Sequence, residues 1–315
     1  MIPSQHPGEH TSEADAVTSE LWGKTAREKS ETEQWKCYYW QSHPLTLRHI
    51  NRLITDSEEE DWLGFTKRRF FPEPVERALS LGCGHGTVER EAIALGISRT
   101  FDGLDISVEA LEVAARDAEQ AGLADSIAYR TADLNTVELD PAAYDVVFAV
   151  QALHHVDALE HLLDGVAASL RPGGLFVVNE YVGPARFQWL DKTQTVMNRI
   201  LDLLPESYRV NPRNGLVKEH IERAPAEEVS RVDPSESIRS DEIPELLRSR
   251  FDVVYRADFG GTINQFLLAD IAANFDADDP KDVALLDLIC LLEELLVAER
   301  VVPSDFAYFV LSGRS

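Results

Sequence analysis

The run Ser80-Leu-Gly-Cys-Gly-His-Gly86 follows an apolar approach and precedes a helical stretch, so three alternating glycines stand where a strand turns into a helix. Glycine accepts positive φ and leaves no Cβ in the way of a ligand. The helix that follows presents unpaired N–H groups to a polar or anionic group. A glycine triplet by itself also serves packing, so the elements after it decide its meaning. Arg99-Thr-Phe-Asp-Gly-Leu-Asp105 reads as a short strand whose terminal acid, nineteen residues past Gly86, is placed to accept both hydroxyls of a ribose. Ile127 to Asp133 is a third strand ending in an acid, suited to the exocyclic amine of an adenine. Tyr144 to Val150 opens into Gln-Ala-Leu-His-His155, and Leu170-Arg-Pro-Gly-Gly174 turns the chain into a fifth strand, Leu175 to Asn179.

Composition narrows the classes. The 315 residues suffice for a large core, either one domain with insertions or a domain with a cap. A formal net charge of −25 argues against nucleic acid, whose binding demands Lys and Arg. The one basic cluster, Lys67-Arg68-Arg69, reads as a solvated helix face. No apolar run has membrane-spanning length, and the opening Met-Ile-Pro-Ser-Gln-His-Pro-Gly-Glu-His is neither a signal peptide nor a lipidation site. Cys37, Cys83 and Cys290 are scattered and odd in number, which fits a reducing compartment and a cytoplasmic location.

Taken together, "LSLGCGHG", "FDGLDIS", "TADLN", "YDVVFAVQALHHV" and "LRPGGLFVVNEY" resemble, in order and spacing, the class I S-adenosylmethionine-dependent methyltransferase superfamily. The resemblance covers residues 75–182 and, more loosely, 240–260 and 305–313. It implies a Rossmann-like α/β fold: a seven-stranded, mostly parallel sheet with helices on both faces and a helical cap. It further implies that Gly82, Gly84 and Gly86 pack against the methionine part of S-adenosylmethionine, that Asp105 holds its ribose, and that Asp133 with Leu134 frames its adenine, with Cys83, Ile106 and Gln151 as further cofactor contacts. One departure is Ser80, which stands where the superfamily usually has an acid and brings no charge to the cofactor's ammonium. The nicotinamide-binding alternative wants a third glycine where Thr87 stands, so the turn leans away from it.

Methyl transfer to a hydroxyl needs alignment and a proton acceptor. His154 and His155 follow the fourth strand, on the side that faces the transferable methyl in this superfamily, and a His suits a base near neutral pH. His154 is preferred, with Glu180 and Tyr181 at the end of the fifth strand as further candidates; Glu180 alternatively pairs with Arg186. Tyr39, Trp40, Phe187 and Trp189 complete the expected acceptor contacts. No His or Cys spacing calls for a metal. The expected organisation is a disordered tail (1–32), an N-terminal helical cap (33–74) that either staples the sheet or covers the site, the cofactor-binding core (75–182), a substrate-cap insertion (183–239) and the rest of the core with a helical insert (240–315). In that insert, Leu285 to Leu296 carry an apolar face that reads as buried, a homodimer contact being the alternative. Asp233-Pro-Ser-Glu236 reads as a helix-start turn without chemistry. The resulting expectation is methyl transfer to a small-molecule hydroxyl of sugar or natural-product type. An NAD-dependent oxidoreductase, or an S-adenosylmethionine-binding protein without methyl transfer, are the alternatives.

Overall fold

From Val75 to Tyr181 short apolar strands are joined by helices, or in one case by the loop 132–143, so no strand has a hairpin partner and pairing comes through crossovers. In the computed structural model, which describes residues 17–20 and 39–314, they pair accordingly. Strands β1 (Val75–Leu81), β2 (Ser98–Asp105), β3 (Ile127–Thr131), β4 (Tyr144–Val150), β5 (Leu170–Tyr181), β6 (Phe251–Gly260) and β7 (Phe306–Gly313) form one sheet ordered β3-β2-β1-β4-β5-β7-β6. The first five are mutually parallel, and β7 runs antiparallel to both of its neighbours. The chain leaves β1 toward β2 on one side and returns to β4 on the other. That reversal opens a crevice at the carboxyl ends of β1 and β4, where open α/β sheets hold ligands.

Burial on both faces explains the strand sequences. Val146, Val147, Phe148 and Ala149 of β4 are all fully buried, the unbroken apolar run of a central parallel strand. Leu159, Leu162, Leu163 and Val166 of α5 (Leu159–Ser169) cover one face together with Ile243 and Leu247. On the other face lie α1 (Pro44–Thr55), α2 (Trp62–Phe70), α3 (Thr87–Ala94) and α4 (Val108–Gln120), contributing Ile50, Ile54, Phe65, Ala92 and Ala118. Each such large side chain stabilises the fold by roughly 1.5 to 3 kcal/mol.

Several boundaries differ from the sequence expectation, each for a tertiary reason. Leu170 to Gly174 is not a turn ahead of β5 but part of it: Leu170 pairs with Tyr144 and Leu175 with Val146, so the residues between them bulge. The expected helix from Phe187 is delayed to α6 (Asp191–Leu203), because Arg186 and Phe187 take left-handed backbone. After it come α7 (Ala226–Val232), α8 (Ile243–Arg250), the short α9 (Asn264–Leu268) and α10 (Pro280–Ala298). In α10, Leu286, Ile289 and Cys290 are buried against α1 and β6, whereas Leu288, Leu291, Leu292 and Leu295 are exposed. The expected burial thus holds for one side only. Of the expected disordered tail, Val17 to Glu20 are helical, with the Thr18 hydroxyl bonded to Asp233 and the Ser19 hydroxyl to the Ile106 carbonyl. Two tertiary hydrogen bonds order a segment whose own composition would not. The remainder of 1–32 lies outside the described residues, as do Trp35 and Tyr38. No helix among the described residues is long and apolar enough to cross a membrane.

Candidate active site

At the end of β1 the backbone passes through Gly82, Gly84 and Gly86, all at positive φ. The three glycines differ in what surrounds them. A Cβ on Gly82 would lie 2.5 Å from the Ala152 Cβ, so this glycine lets β1 approach the loop after β4. A Cβ on Gly84 would meet nothing within 4 Å; this residue borders a cavity of about 860 Å³. Gly86 does not line that cavity. It caps α3 and abuts the Tyr129 ring and Ala114, so its expected cofactor contact is corrected to close packing.

Asp105, at the tip of β2, accepts the Gly84 N–H through Oδ2 and the Ser107 N–H through Oδ1, each at 2.8 Å. The carboxylate therefore holds the glycine turn in place while facing the cavity. Burial raises its pKa, and the N–H donors oppose the rise. Asp133 accepts from the backbone and side chain of Asn135, whose Oδ1 in turn accepts the N–H groups of Asp157 and Ala158. Cys83, Ile106, Leu134 and Gln151 complete this end of the wall, with Gln151 at φ 52°. Replacing Asp105 with alanine removes charge-assisted hydrogen bonds, and nucleoside binding measured by calorimetry is expected to weaken by roughly 1.5 to 3 kcal/mol. Unchanged affinity would remove Asp105 from the ribose role.

The other end of the cavity is built on β4 and β5. His154 stands in the short turn Leu153–His155, and its Nδ1 lies 2.5 Å from Oε1 of Glu180. Glu180 is fully buried and does not line the cavity; it sits behind His154. Its oxygens also accept the N–H groups of Ala152, Leu153 and Tyr181, which fixes the carboxylate and through it the imidazole. Glu180 thus pairs with His154 rather than with Arg186. Burial depresses the pKa of His154, but the Glu180 carboxylate outweighs it and brings the ring up to about 8. His155 lines the cavity beside it, its Nδ1 3.0 Å from the Ser235 hydroxyl, and burial together with the neighbouring imidazole holds its pKa well below the ordinary value.

Sequence reasoning missed the contribution of residues 233–236. Glu236 places Oε1 3.7 Å from Nε2 of His154, on the side away from Glu180. Arg186, in left-handed conformation, donates to the carbonyls of Pro234 and Glu236 and thereby fastens this segment over the histidines. The only available signal was an acid in a proline-bounded turn, which carries no address for a partner 82 residues away. His154, His155 and Glu236 offer ligand atoms within 4.8 Å of one another.

Among the expected acceptor contacts, Tyr39, Tyr181 and Phe187 line the cavity, joined by Thr18, Val229, Val232 and Phe306. Trp40 and Trp189 do not. Trp40 packs edge-on against Phe306 with ring centroids 5.4 Å apart, and Trp189 lies tilted against Phe266 at 4.2 Å; both belong to the core. Of the two readings of the N-terminal aromatics, stapling fits Trp40 and covering fits Tyr39.

Residues 78–174, which hold the glycine turn, Asp105, Asp133 and both histidines, match the family model described as "Methyltransferase domain". This stretch is a methyltransferase domain of the S-adenosylmethionine-dependent class I kind. Among its relatives in this methyltransferase superfamily is a ubiquinone biosynthesis O-methyltransferase of Methylocella silvestris, 35% identical over 135 residues, or 42% of this chain and 50% of the relative. The 27-O-demethylrifamycin SV methyltransferase of Amycolatopsis mediterranei is 28% identical over 53% of this chain and 54% of its own length. A sterol 24-C-methyltransferase of Clavispora lusitaniae is 33% identical over 34% of this chain and 28% of its own. The chain therefore spans about half the length, or less, of these curated relatives. A chain from the solved complex of the Haloferax volcanii Trm112 methyltransferase activator with a methyltransferase shares the fold, at a TM-score of 0.51 and 17% identity over 98% of this chain and all of that one.

Proposed function

We propose that this chain transfers the methyl group of S-adenosylmethionine to a hydroxyl of a small molecule, with His154 as general base. The observation that carries this reading is that the Glu180-backed imidazole of His154 opens on the same cavity as the glycine turn. Fit to the cofactor is supported by Gly84, where a side chain would project into open space, and by the two strand-end acids Asp105 and Asp133 facing the cavity. When bound, the cofactor supplies a methyl carbon activated by its sulfonium. The protein supplies position and proton handling. Asp105 and Asp133 would hold the ribose and adenine, and the glycine turn would admit the methionine end.

With Nδ1–H committed to Glu180, Nε2 of His154 is the atom left to take the proton of the acceptor hydroxyl. Glu180 and Glu236 flank the ring and stabilise the imidazolium that forms. Tyr39, Phe187, Val229, Val232 and Phe306 give the acceptor end an apolar wall, which suits a natural-product skeleton better than a compact polar amine. Two relatives are named as methyltransferases acting at oxygen, which supports the same choice. Val229, Val232 and Glu236 all belong to 183–239, which supports reading that insertion as the substrate cap.

The test is calorimetric binding of S-adenosylmethionine, S-adenosylhomocysteine and NADH to the full chain. Micromolar binding of both sulfur nucleosides without NADH is expected. Binding of NADH alone would overturn the reading in favour of an oxidoreductase.

A further inference from the structure

Beneath the glycine turn lies a carboxylate that nothing described so far uses. Glu89, the third residue of α3, is fully buried, and apart from the Ser80 hydroxyl and the backbone N–H beside it no described group partners its oxygens. An ionised carboxylate in such a place is costly unless a cation or donors complete it. Its surroundings are short of positive charge. Ser80 from β1, Cys83 from the turn, Asp105 from β2 and Tyr129 from β3 lie near it, and among the described residues the cation that acts on it is Arg90 of its own helix. Arg90 spends its guanidinium on the His85 carbonyl and the Thr87 hydroxyl, with Asp117 at 3.9 Å. Burial accordingly pushes the Glu89 carboxyl up to about 7. Ser80 is the link to the ligand: its hydroxyl lies beside Glu89, and the residue lines the cavity.

We propose that Glu89, acting with the Ser80 hydroxyl, is the counter-ion for the α-ammonium group at the amino-acid end of the bound nucleoside. This rests on the cofactor reading above. Strand β1 carries a serine and no charge at the cavity wall, and helix α3 supplies the charge from behind it. The carboxylate thereby completes its own solvation when an aminoacyl nucleoside binds, and stays uncompensated when the ligand lacks the amino acid.

The experiment compares S-adenosylhomocysteine with 5′-methylthioadenosine, which shares the nucleoside and thioether but has no ammonium. In Glu89→Gln, affinity for S-adenosylhomocysteine is expected to fall about 10- to 100-fold, the worth of one charge-assisted contact, while 5′-methylthioadenosine binds as to the wild type. The double variant Ser80→Asp/Glu89→Gln, which returns the charge from β1, is expected to recover most of the loss. An equal change for both ligands, or no change, would overturn the proposal by making Glu89 a packing residue. Should Glu89→Gln fail to fold, the wild type still decides. Its preference for S-adenosylhomocysteine over 5′-methylthioadenosine should grow as pH rises through about 7 and Glu89 ionises, and a flat ratio would overturn the proposal. Wild-type binding of 5′-methylthioadenosine without preference for S-adenosylhomocysteine defeats this inference alone. Binding of neither defeats the cofactor reading and the inference with it.

Discussion

His154→Ala is expected to lower turnover by about 10²- to 10⁴-fold while leaving cofactor affinity within about twofold, the signature of a lost proton acceptor. The alternatives at this position make distinct predictions. His155 has its Nδ1 against Ser235 and a depressed pKa, so it is neutral across the working range, and its nearest carboxylate, Asp233 at 3.8 Å, is not hydrogen-bonded to the ring as Glu180 is to His154. His155→Ala should therefore cost far less, and the reverse order would exchange the two roles. The pH profile provides an independent check. Because Glu180 holds the His154 pKa at about 8 against the pull of burial, the ring is protonated below that value and cannot accept a proton. Turnover should rise with pH and level off above about 8. Glu180→Gln removes the charge that raises the pKa, so the midpoint should move down while the plateau rate falls. Turnover should also survive chelation. If it is abolished by EDTA and restored by a divalent cation, the grouping of His154, His155 and Glu236 holds a metal and His154 is not the base.

Gly84→Val should abolish binding of S-adenosylhomocysteine in calorimetry. Two effects act together at this residue. The new side chain projects into the cavity, where a Cβ meets no protein atom within 4 Å, so it displaces ligand and not protein. The backbone at φ 53° is also left-handed, which a β-branched residue resists at a cost of roughly 1 to 2 kcal/mol. That strain alone lowers the melting temperature by a few degrees and leaves a folded protein in which binding can be measured. Retained affinity would mean that the turn is structural and that the ligand enters elsewhere. Gly86→Val makes a useful contrast. A side chain there strikes Tyr129 and Ala114, so it should cost folding stability before it costs binding.

Much of the cofactor half was legible in the sequence because its signals are local. The Gly82 to Gly86 turn is written in the residues that must adopt positive φ. Asp105 and Asp133 stand at, or two residues beyond, the ends of short strands, so their place at one edge of the sheet follows from strand direction alone. The exposed and buried sides of α10 were less legible. Its sequence is apolar nearly all round, and only the position of α1 and β6 selects Ile289 over Leu288 for burial. The N-terminal aromatics failed for a related reason. Composition cannot say which way a ring points, and Trp40 turns into the core while its neighbour Tyr39 turns to the cavity.

The acceptor half and the charge under the turn were decided by the tertiary structure. Glu180 meets His154 across 26 residues because β4 and β5 are parallel neighbours, with Val150 opposite Asn179. Glu236 reaches the same histidine only because Arg186 folds the insertion back over it. Glu89 lies beside Ser80 because α3, which leaves β1 through the glycine turn, packs on the sheet against the neighbouring strand β2. By itself the sequence determined the order of the elements and the residues at the strand ends, since φ preference and apolar patterning act within a few residues. Which side chains share a hydrogen bond or a charge depends on strand order and helix placement, and only the packed sheet sets those.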